Sequence, residues 1–286
     1  MHKGRQSGDS VAIDRLATDD EVHGGEAFDR IATQYDMLFS HSTIGQAQRW
    51  LVHRELGKVF VEGDRILDFN CGTGEDALLL GARGVEVFGC DASAAMIDVC
   101  RRKLATSKAR LPVVFNQCAN ENLERVKKLG PFDGAISNFG GLNCSGDLGG
   151  LRKTLAALLA PGSSLFLCLM GRTCAWEIAW YLLKANWRKA FRRLGSSGST
   201  ASIGGASIRI HYYSTRAVER AFAPSFRLKN RRGVGVVVPP SWLEPWFHNR
   251  ASAVRSLRQL DDRFGGWPGL RGLADHTLLH FVRRPE

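Results

Sequence analysis

The sequence offers little that would anchor the chain in a membrane or staple it together. No stretch approaches the roughly 20 apolar residues of a membrane span. The polar start, MHKGRQSGDSVAIDRLATDD, has no apolar signal-peptide core, so a cytoplasmic location is the default expectation. The seven cysteines (71, 90, 100, 118, 144, 168 and 174) are odd in number and scattered, with no C-x-x-C pair. A disulfide framework or zinc site is therefore not expected, and no metal is. Acid is scarce in one half. Residues 171–286 carry 20 Lys+Arg against 7 Asp+Glu, whereas residues 1–170 carry 19 against 21, so the second part holds the whole excess of +11. That asymmetry suggests an anionic ligand, nucleic acid or membrane surface near the second part, with a solvated basic face as the plainer alternative.

What remains is an ordinary globular composition, 286 residues with 44% apolar and 23% charged. From about residue 60, short apolar runs alternate with helical patterns. Strands are predicted over 64–69, 85–90, 111–117, 132–138 and 164–170, and helices over 75–82, 93–103 (capped by Ser93) and 148–159. This alternation predicts an α/β fold, a parallel sheet with helices on both faces. After Gly171 the pattern changes. Residues 174–194 read as one tryptophan-rich helix, 194–206 as a Gly/Ser-rich flexible loop, and 207–213 as a strand. A short helix capped by Ser214 follows, then a strand over 226–238, a helix to about Arg263 and a last strand near 278–283. The organisation expected is an N-terminal helical cap (1–60), a cofactor-binding core (61–170), a lid or insertion (171–225) and a return to the core sheet (226–286).

The chemistry concentrates in Ile66-Leu-Asp-Phe-Asn-Cys-Gly-Thr-Gly-Glu-Asp76. A strand ends near an acid, enters a glycine turn and starts a helix, where backbone and free N–H groups can approach a ligand closely. The third glycine of a dinucleotide loop is missing, and the phosphate loop G-x-x-x-x-G-K-[ST] is absent. Asp91, ending the next strand, is placed to accept ribose hydroxyls.

These residues resemble the first two motifs of class I S-adenosylmethionine-dependent methyltransferases. Phe28-Asp-Arg-Ile-Ala-Thr-Gln-Tyr-Asp36, Phe132-Asp-Gly-Ala-Ile-Ser-Asn138 and Leu158-Leu-Ala-Pro-Gly162 are similar to further stretches of that family. The resemblance covers residues 28–170 and the last strand, and implies a Rossmann-like seven-stranded, mostly parallel sheet whose final strand is antiparallel. It implies S-adenosyl-L-methionine as cofactor. Asp68 would belong to its motif, with Asn70 in place of the usual first glycine, while Gly72 and Gly74 would face the methionine part. Asp91 would hold the ribose, and Ala92 and Met96 would border the adenine. Tyr35 would cover the cofactor, and Asn138 and Phe139 would line the methyl-donor end. Where the family often has Asp, Ala119 stands, so Asn120 or Glu121 would take the adenine contact.

Methyl transfer from a sulfonium is an in-line displacement that needs alignment and a dry site, and a base only where the nucleophile must lose a proton. His211, Tyr213 and Asn143 are the candidate catalytic residues. The sequence supports a small-molecule acceptor, conceivably anionic. The alternatives are a nucleic-acid or membrane-lipid methyltransferase, a non-methylating enzyme using the same cofactor, such as a cyclase, or a silent binder. Asn138-Phe-Gly-Gly141 lacks the prolines of the exocyclic-amine enzymes, which counts against nucleic acid. The helical stretch 174–194 is read as a lid packing its aromatics over the active site, with peripheral membrane contact through its Trp/Leu side as the alternative.

Overall fold

The computed structural model describes residues 24–195 and 198–285. The first 23 residues of the expected cap, and residues 196–197 of the Gly/Ser-rich stretch, lie outside them. Helices α1 (Gly24–Asp29), α2 (Ala32–Tyr35) and α3 (Thr43–Leu56) lead into β1 (Arg65–Phe69), α4 (Glu75–Gly81), β2 (Glu86–Asp91) and α5 (Ala94–Ala105). There follow β3 (Val113–Gln117), β4 (Phe132–Ser137), α6 (Leu148–Leu158) and β5 (Leu159–Met170). The second part holds α7 (Ala175–Leu183), α8 (Trp187–Ala190), β6 (Ser199–Ile203), β7 (Ala206–Ile210) and α9 (Thr215–Phe222). It ends with β8 (Phe226–Val234), α10 (Glu244–Phe247), α11 (Ala251–Phe264) and β9 (His276–Arg283).

Seven strands form one sheet in the order β3-β2-β1-β4-β5-β9-β8. The pairs among β1 to β5 are parallel, and β9 runs antiparallel to both its neighbours. Alternation along β1 sorts the two cores. Ile66 points to the side of Leu51, Val52, Leu80 and Ile97, which come from α3, α4 and α5. Leu67 points to the side of Leu151, Leu155, Val218 and Phe222 from α6 and α9. Each such large apolar side chain contributes about 1.5–3 kcal/mol on burial. Strand order reverses between β1 and β4, which opens a crevice at their carboxyl ends. Ser93 and Ser214 cap α5 and α9, accepting from the backbone N–H of Met96 and Ala217.

Three expectations change. The stretch 174–194 is not one helix: Ala185 takes a left-handed φ of +51° and Asn186 caps a new turn by accepting from Lys189 N–H. The break folds Arg192 and Arg193 back onto Glu177, with Arg192 Nε 2.8 Å from Oε1 and Arg193 Nη2 2.8 Å from Oε2. The described part of the Gly/Ser-rich stretch is ordered into a hairpin, β6–β7, turned by Gly204 (φ +56°) and Gly205 (φ +80°). Two left-handed turn residues match the twist of the strands they join. Finally, β8 stops at Val234 because Gly235 turns at φ +80°, and the buried Asp261 carboxylate gathers the N–H groups of Gly235, Val236 and Val238 at 3.0–3.1 Å.

Glu177 is 1% exposed and Arg193 6%, and Arg193 also reaches Asp275 Oδ1 at 2.9 Å. Removing Glu177 takes a partner from Arg192 and Arg193 but leaves Arg193 paired with Asp275. Glu177→Ala should therefore destabilise the protein by about 1.5–3 kcal/mol in urea unfolding; a loss below about 0.5 kcal/mol would contradict this account.

Candidate active site

The loop after β1 is built from left-handed residues. Asn70 has φ +61°, Gly72 φ +54° and Gly74 φ +80°. Gly74 must be glycine for packing, since a Cβ there would stand 2.8 Å from the Phe115 ring and 3.0 Å from Cys100 Sγ. Gly72 is different: an added Cβ would meet nothing within 4 Å, so this backbone faces open space. Asn70 donates to Ser137 Oγ at 2.9 Å. Asp91, at the end of β2, accepts from Gly72 N–H and Ser93 N–H, both at 2.9 Å, and burial pushes its carboxyl up. Asp68 is 1% exposed with no hydrogen-bond partner on either oxygen. Burial, with the negative charge of Asp76 adding to it, raises its carboxyl well above the usual range.

Beside the loop lies a narrow cleft lined by Tyr35, Arg49, Gly72, Asp76, Asn138 and Phe139 among others. Asp76, in the first turn of α4, organises it. Its Oδ1 receives Arg49 Nη1 at 2.8 Å and lies 2.5 Å from His53 Nε2, and its Oδ2 accepts from Asn138 Nδ2 at 2.9 Å. Burial alone would raise the Asp76 carboxyl, but Arg49, His53 and Asn138 outweigh it and hold the group well below the carboxylate range. The Arg49 guanidinium lies 4.7 Å over the Phe139 ring, and its Nε is buried without a partner. At the outer edge, Thr73 Oγ1 donates to Asp36 Oδ1 at 2.5 Å, and Lys103 bridges Asp36, Thr73 O and Glu75. Asp36, His41 and Glu75 bring three ligand-type atoms together; the Lys103 ammonium already supplies positive charge to both carboxylates there.

The expected residues distribute unevenly. Tyr35, Asn70, Gly72, Asn138 and Phe139 line the cleft, and burial lifts the Tyr35 hydroxyl to about 12. Ala92 lies against α1, where a Cβ on Gly25 would come within 3.2 Å of its own. Met96 is buried within α5. Asn120 and Glu121 open the 3-10 segment Asn120–Leu129, with Glu121 exposed, and neither lines the cleft. Asn143 is fully buried and its carboxamide is spent on backbone: Nδ2 donates to Met170 O and His211 O, and Oδ1 accepts from Met170 N–H. It braces the loop rather than facing a ligand. His211 stacks on Tyr213 with centroids 5.8 Å apart, both beyond the end of β7, and Tyr213 donates its hydroxyl to Ser145 O. Burial raises the Tyr213 hydroxyl, so it stays protonated at neutral pH.

Sequence reasoning missed Arg49, His53, Asp76, Asp36, Thr73 and Lys103. Arg49 and His53 stand four apart on α3, one shared helix face, a spacing that could have flagged them. The tryptophan side of α7 does not lie over this cleft. Trp176 and Trp180 pack instead with Ile44, Val238, Leu243 and Val254. What lies nearer is an apolar cluster of α1 and the hairpin, in which Phe28, Cys144, Met170, Ile203 and Tyr212 pack against Ala27, Ala206, Ile208 and Ile210.

The family described as "Methyltransferase domain" matches residues 66–162. An uncharacterised protein of Methanocaldococcus jannaschii, MJ1252, is 30% identical over 200 residues, covering 68% of this chain and 72% of that protein. The ubiquinone/menaquinone biosynthesis C-methyltransferase UbiE of Stenotrophomonas maltophilia is 30% identical over 167 residues, covering 57% of this chain and 65% of its own length. The chain thus spans slightly less than two thirds of that bacterial enzyme. The solved CcbJ methyltransferase of Streptomyces caelestis shares the fold at a TM-score of 0.59, with 15% identity and coverage of 91% and 98%.

The two loop glycines separate ligand space from packing. Gly72→Ala should weaken S-adenosylmethionine binding at least about tenfold while costing only about 1–2 kcal/mol of stability for its left-handed φ. Gly74→Ala should destabilise the fold more, through overpacking as well as the same strain. Calorimetry and thermal melts on both variants check this; equal cofactor affinity in Gly72→Ala and wild type would overturn it.

Proposed function

We propose that this chain, which belongs to the class I S-adenosylmethionine-dependent methyltransferases, methylates a small molecule whose reacting end is an apolar, ring-bearing group. The observation that carries the acceptor class is the apolar cluster of Phe28, Cys144, Met170, Ile203 and Tyr212 beside the cleft. Met170 Cε would lie 3.4 Å from a Cβ on Gly140, directly behind the turn after β4. The ubiquinone/menaquinone biosynthesis C-methyltransferase UbiE and a demethylmenaquinone methyltransferase of Clavibacter sepedonicus, among the relatives, support the same class. The basic excess of the second part does not converge on this cleft. Its one lining cation, Arg49, is paired with Asp76.

The residues present fit the cofactor. A zwitterionic amino-acid end needs a cation and an anion with free valence, and the site has both. Arg49 Nε is an unpartnered donor and Asp68 an unpartnered carboxylate. In this reading Arg49 takes the carboxylate, Asp68 the ammonium, and Gly72 leaves room for the chain between them. Asp91 keeps lone pairs for the ribose hydroxyls beyond those used by Gly72 and Ser93. The same reading takes Ala92, Met96, Asn120 and Glu121 as the adenine side, beyond the lining of the cleft, and has Tyr35 close the cleft with Phe28, whose ring lies 6.4 Å away. When bound, the cofactor supplies an already activated methyl group. The protein's own work is alignment and exclusion of water, by α1, α2 and the β6–β7 hairpin as a lid. In this reading His211 takes a proton from the acceptor, and Tyr213 and Asn143 hold the wall on which it stands.

Asp68 gives this reading a test independent of turnover. Burial raises its carboxyl and an arriving ammonium would lower it again, so cofactor binding should release protons over the pH range between the two states. Calorimetry in buffers of different ionisation enthalpy measures that release. It should vanish in Asp68→Asn, and a wild type that releases none removes the assigned role.

Turnover is checked with labelled cofactor and hydroxylated aromatic or quinol acceptors, with both products identified by mass spectrometry. S-adenosylhomocysteine and a methylated acceptor are expected; methylthioadenosine would point to another displacement and sink the proposal. His211→Gln should lower kcat about 10²–10⁴-fold with cofactor affinity unchanged.

A further inference from the structure

Helix α7 packs Trp176 and Trp180 against an apolar cluster, yet its one fully buried residue is Glu177, and Leu183 at its end is 86% exposed. The apolar exposure continues past the break, with Trp187 66% exposed on α8 and Phe191 and Leu194 both 42% exposed just beyond. Trp246 of α10, 60% exposed, joins the same face, its ring 5.8 Å from Trp180. Cations stand among the rings. Lys184 Nζ lies 4.6 Å over Trp180 and Lys189 Nζ 5.9 Å over Tyr181, and Arg188 is exposed between them. Between Glu177 and Glu219 the sequence has seven Lys+Arg and no Asp or Glu. Glu244, at the start of α10, has both carboxylate oxygens taken by the N–H groups of Thr43 and Ile44.

An outward apolar face ringed by positive charge selects its occupant by chemistry. Indole rings favour headgroup depth, Leu and Phe the acyl boundary just below, and Lys and Arg stems run along apolar surface to set their charges among phosphates. No helix among the described residues is long and apolar enough to cross a membrane, so the face would lie on a bilayer, not through it. A second copy of the chain is disfavoured, because a two-fold contact would press Lys184 and Arg188 against the same cations of its mate. The buried bonds of Glu177 to Arg192 and Arg193 keep the acid inside and the face rigid. We propose that the face formed by α7, α8 and Trp246 docks this protein on an anionic lipid bilayer. This does not depend on the acceptor proposed above.

The test uses the full chain with vesicles of phosphatidylcholine alone and of phosphatidylcholine mixed with phosphatidylglycerol, read by co-sedimentation and tryptophan emission. Binding to the mixed vesicles alone, weakened by added salt, is expected. Lys184→Glu combined with Arg188→Glu should cut partitioning by about thirtyfold or more, from roughly fivefold per lost cation. Leu183→Ser with Trp187→Ser should also cut it, while both variants keep wild-type affinity for S-adenosylmethionine as evidence of folding. Absent or composition-blind vesicle binding, undiminished binding by folded variants, or a stable dimer by light scattering that buries Trp187 would each overturn the proposal. So would retention on duplex RNA without vesicle binding.

Discussion

A single buried carboxylate, that of Asp76, sets the geometry of the site. It stands in the first turn of α4, where the helix dipole already favours negative charge. A carboxylate removed from water costs several kcal/mol unless it is well bonded. Here the bonds come from two other elements, Arg49 and His53 of α3 and Asn138 after β4. None of these can leave without exposing the others to that penalty. The N-terminal helices, the glycine loop and the turn after β4 are therefore one mechanical unit. The placement of Arg49 over Phe139, with Nε left unpartnered, is a consequence of the same bond.

The departure from the family's glycine pattern is accommodated next door. Asn70 tolerates a left-handed φ better than most residues with a side chain, and its amide is spent on Ser137. That side chain must occupy space, and the space is provided by Gly141, where a Cβ would collide with Asn70. A change at the end of one strand is thus compatible with the fold because of a glycine in the loop after its neighbour. In the same way Thr73, between the two loop glycines, is pinned from outside by Asp36, which ties the backbone that faces the ligand to the segment covering it.

What could be read from the sequence was what is local. Strand alternation, the caps Ser93 and Ser214, the glycine turn and Asp91 all lie within a few residues of the feature they determine. The parallel sheet followed from their order. What escaped depends on partners far along the chain. Residues 174–194 have helical propensity throughout, and only the return of Arg192 and Arg193 to a buried Glu177, with Asp275 some 82 residues from Arg193, breaks the helix at Ala185. The hairpin turn at Gly204-Gly205 was visible as a composition but read as flexibility, because short strands of Ser, Thr and Ala carry a weak apolar pattern. Arg49 and His53 lie outside every motif the sequence shows, and Asp76 closes the glycine-loop segment with nothing local to mark its distant partners.

The charge asymmetry is resolved by burial, not by counting. Part of the positive excess of the second half is spent internally: Arg192 and Arg193 on Glu177, Arg232 on Asp262, Arg284 on the carbonyl of Ala223. The acids at the cleft and its outer edge have cations beside them, Arg49 on Asp76 and Lys103 on Asp36 and Glu75. Net charge thus says little about the charge of the reacting molecule. Among the exposed cations, Lys184 follows the exposed Leu183 at the end of α7 and Arg188 follows the exposed Trp187 on α8. That pairing of exposed aromatic surface with unneutralised charge gives the excess a location. On the proposed docking, the charge that would draw the protein to a bilayer and the cleft that would take the acceptor belong to different residues of the same chain.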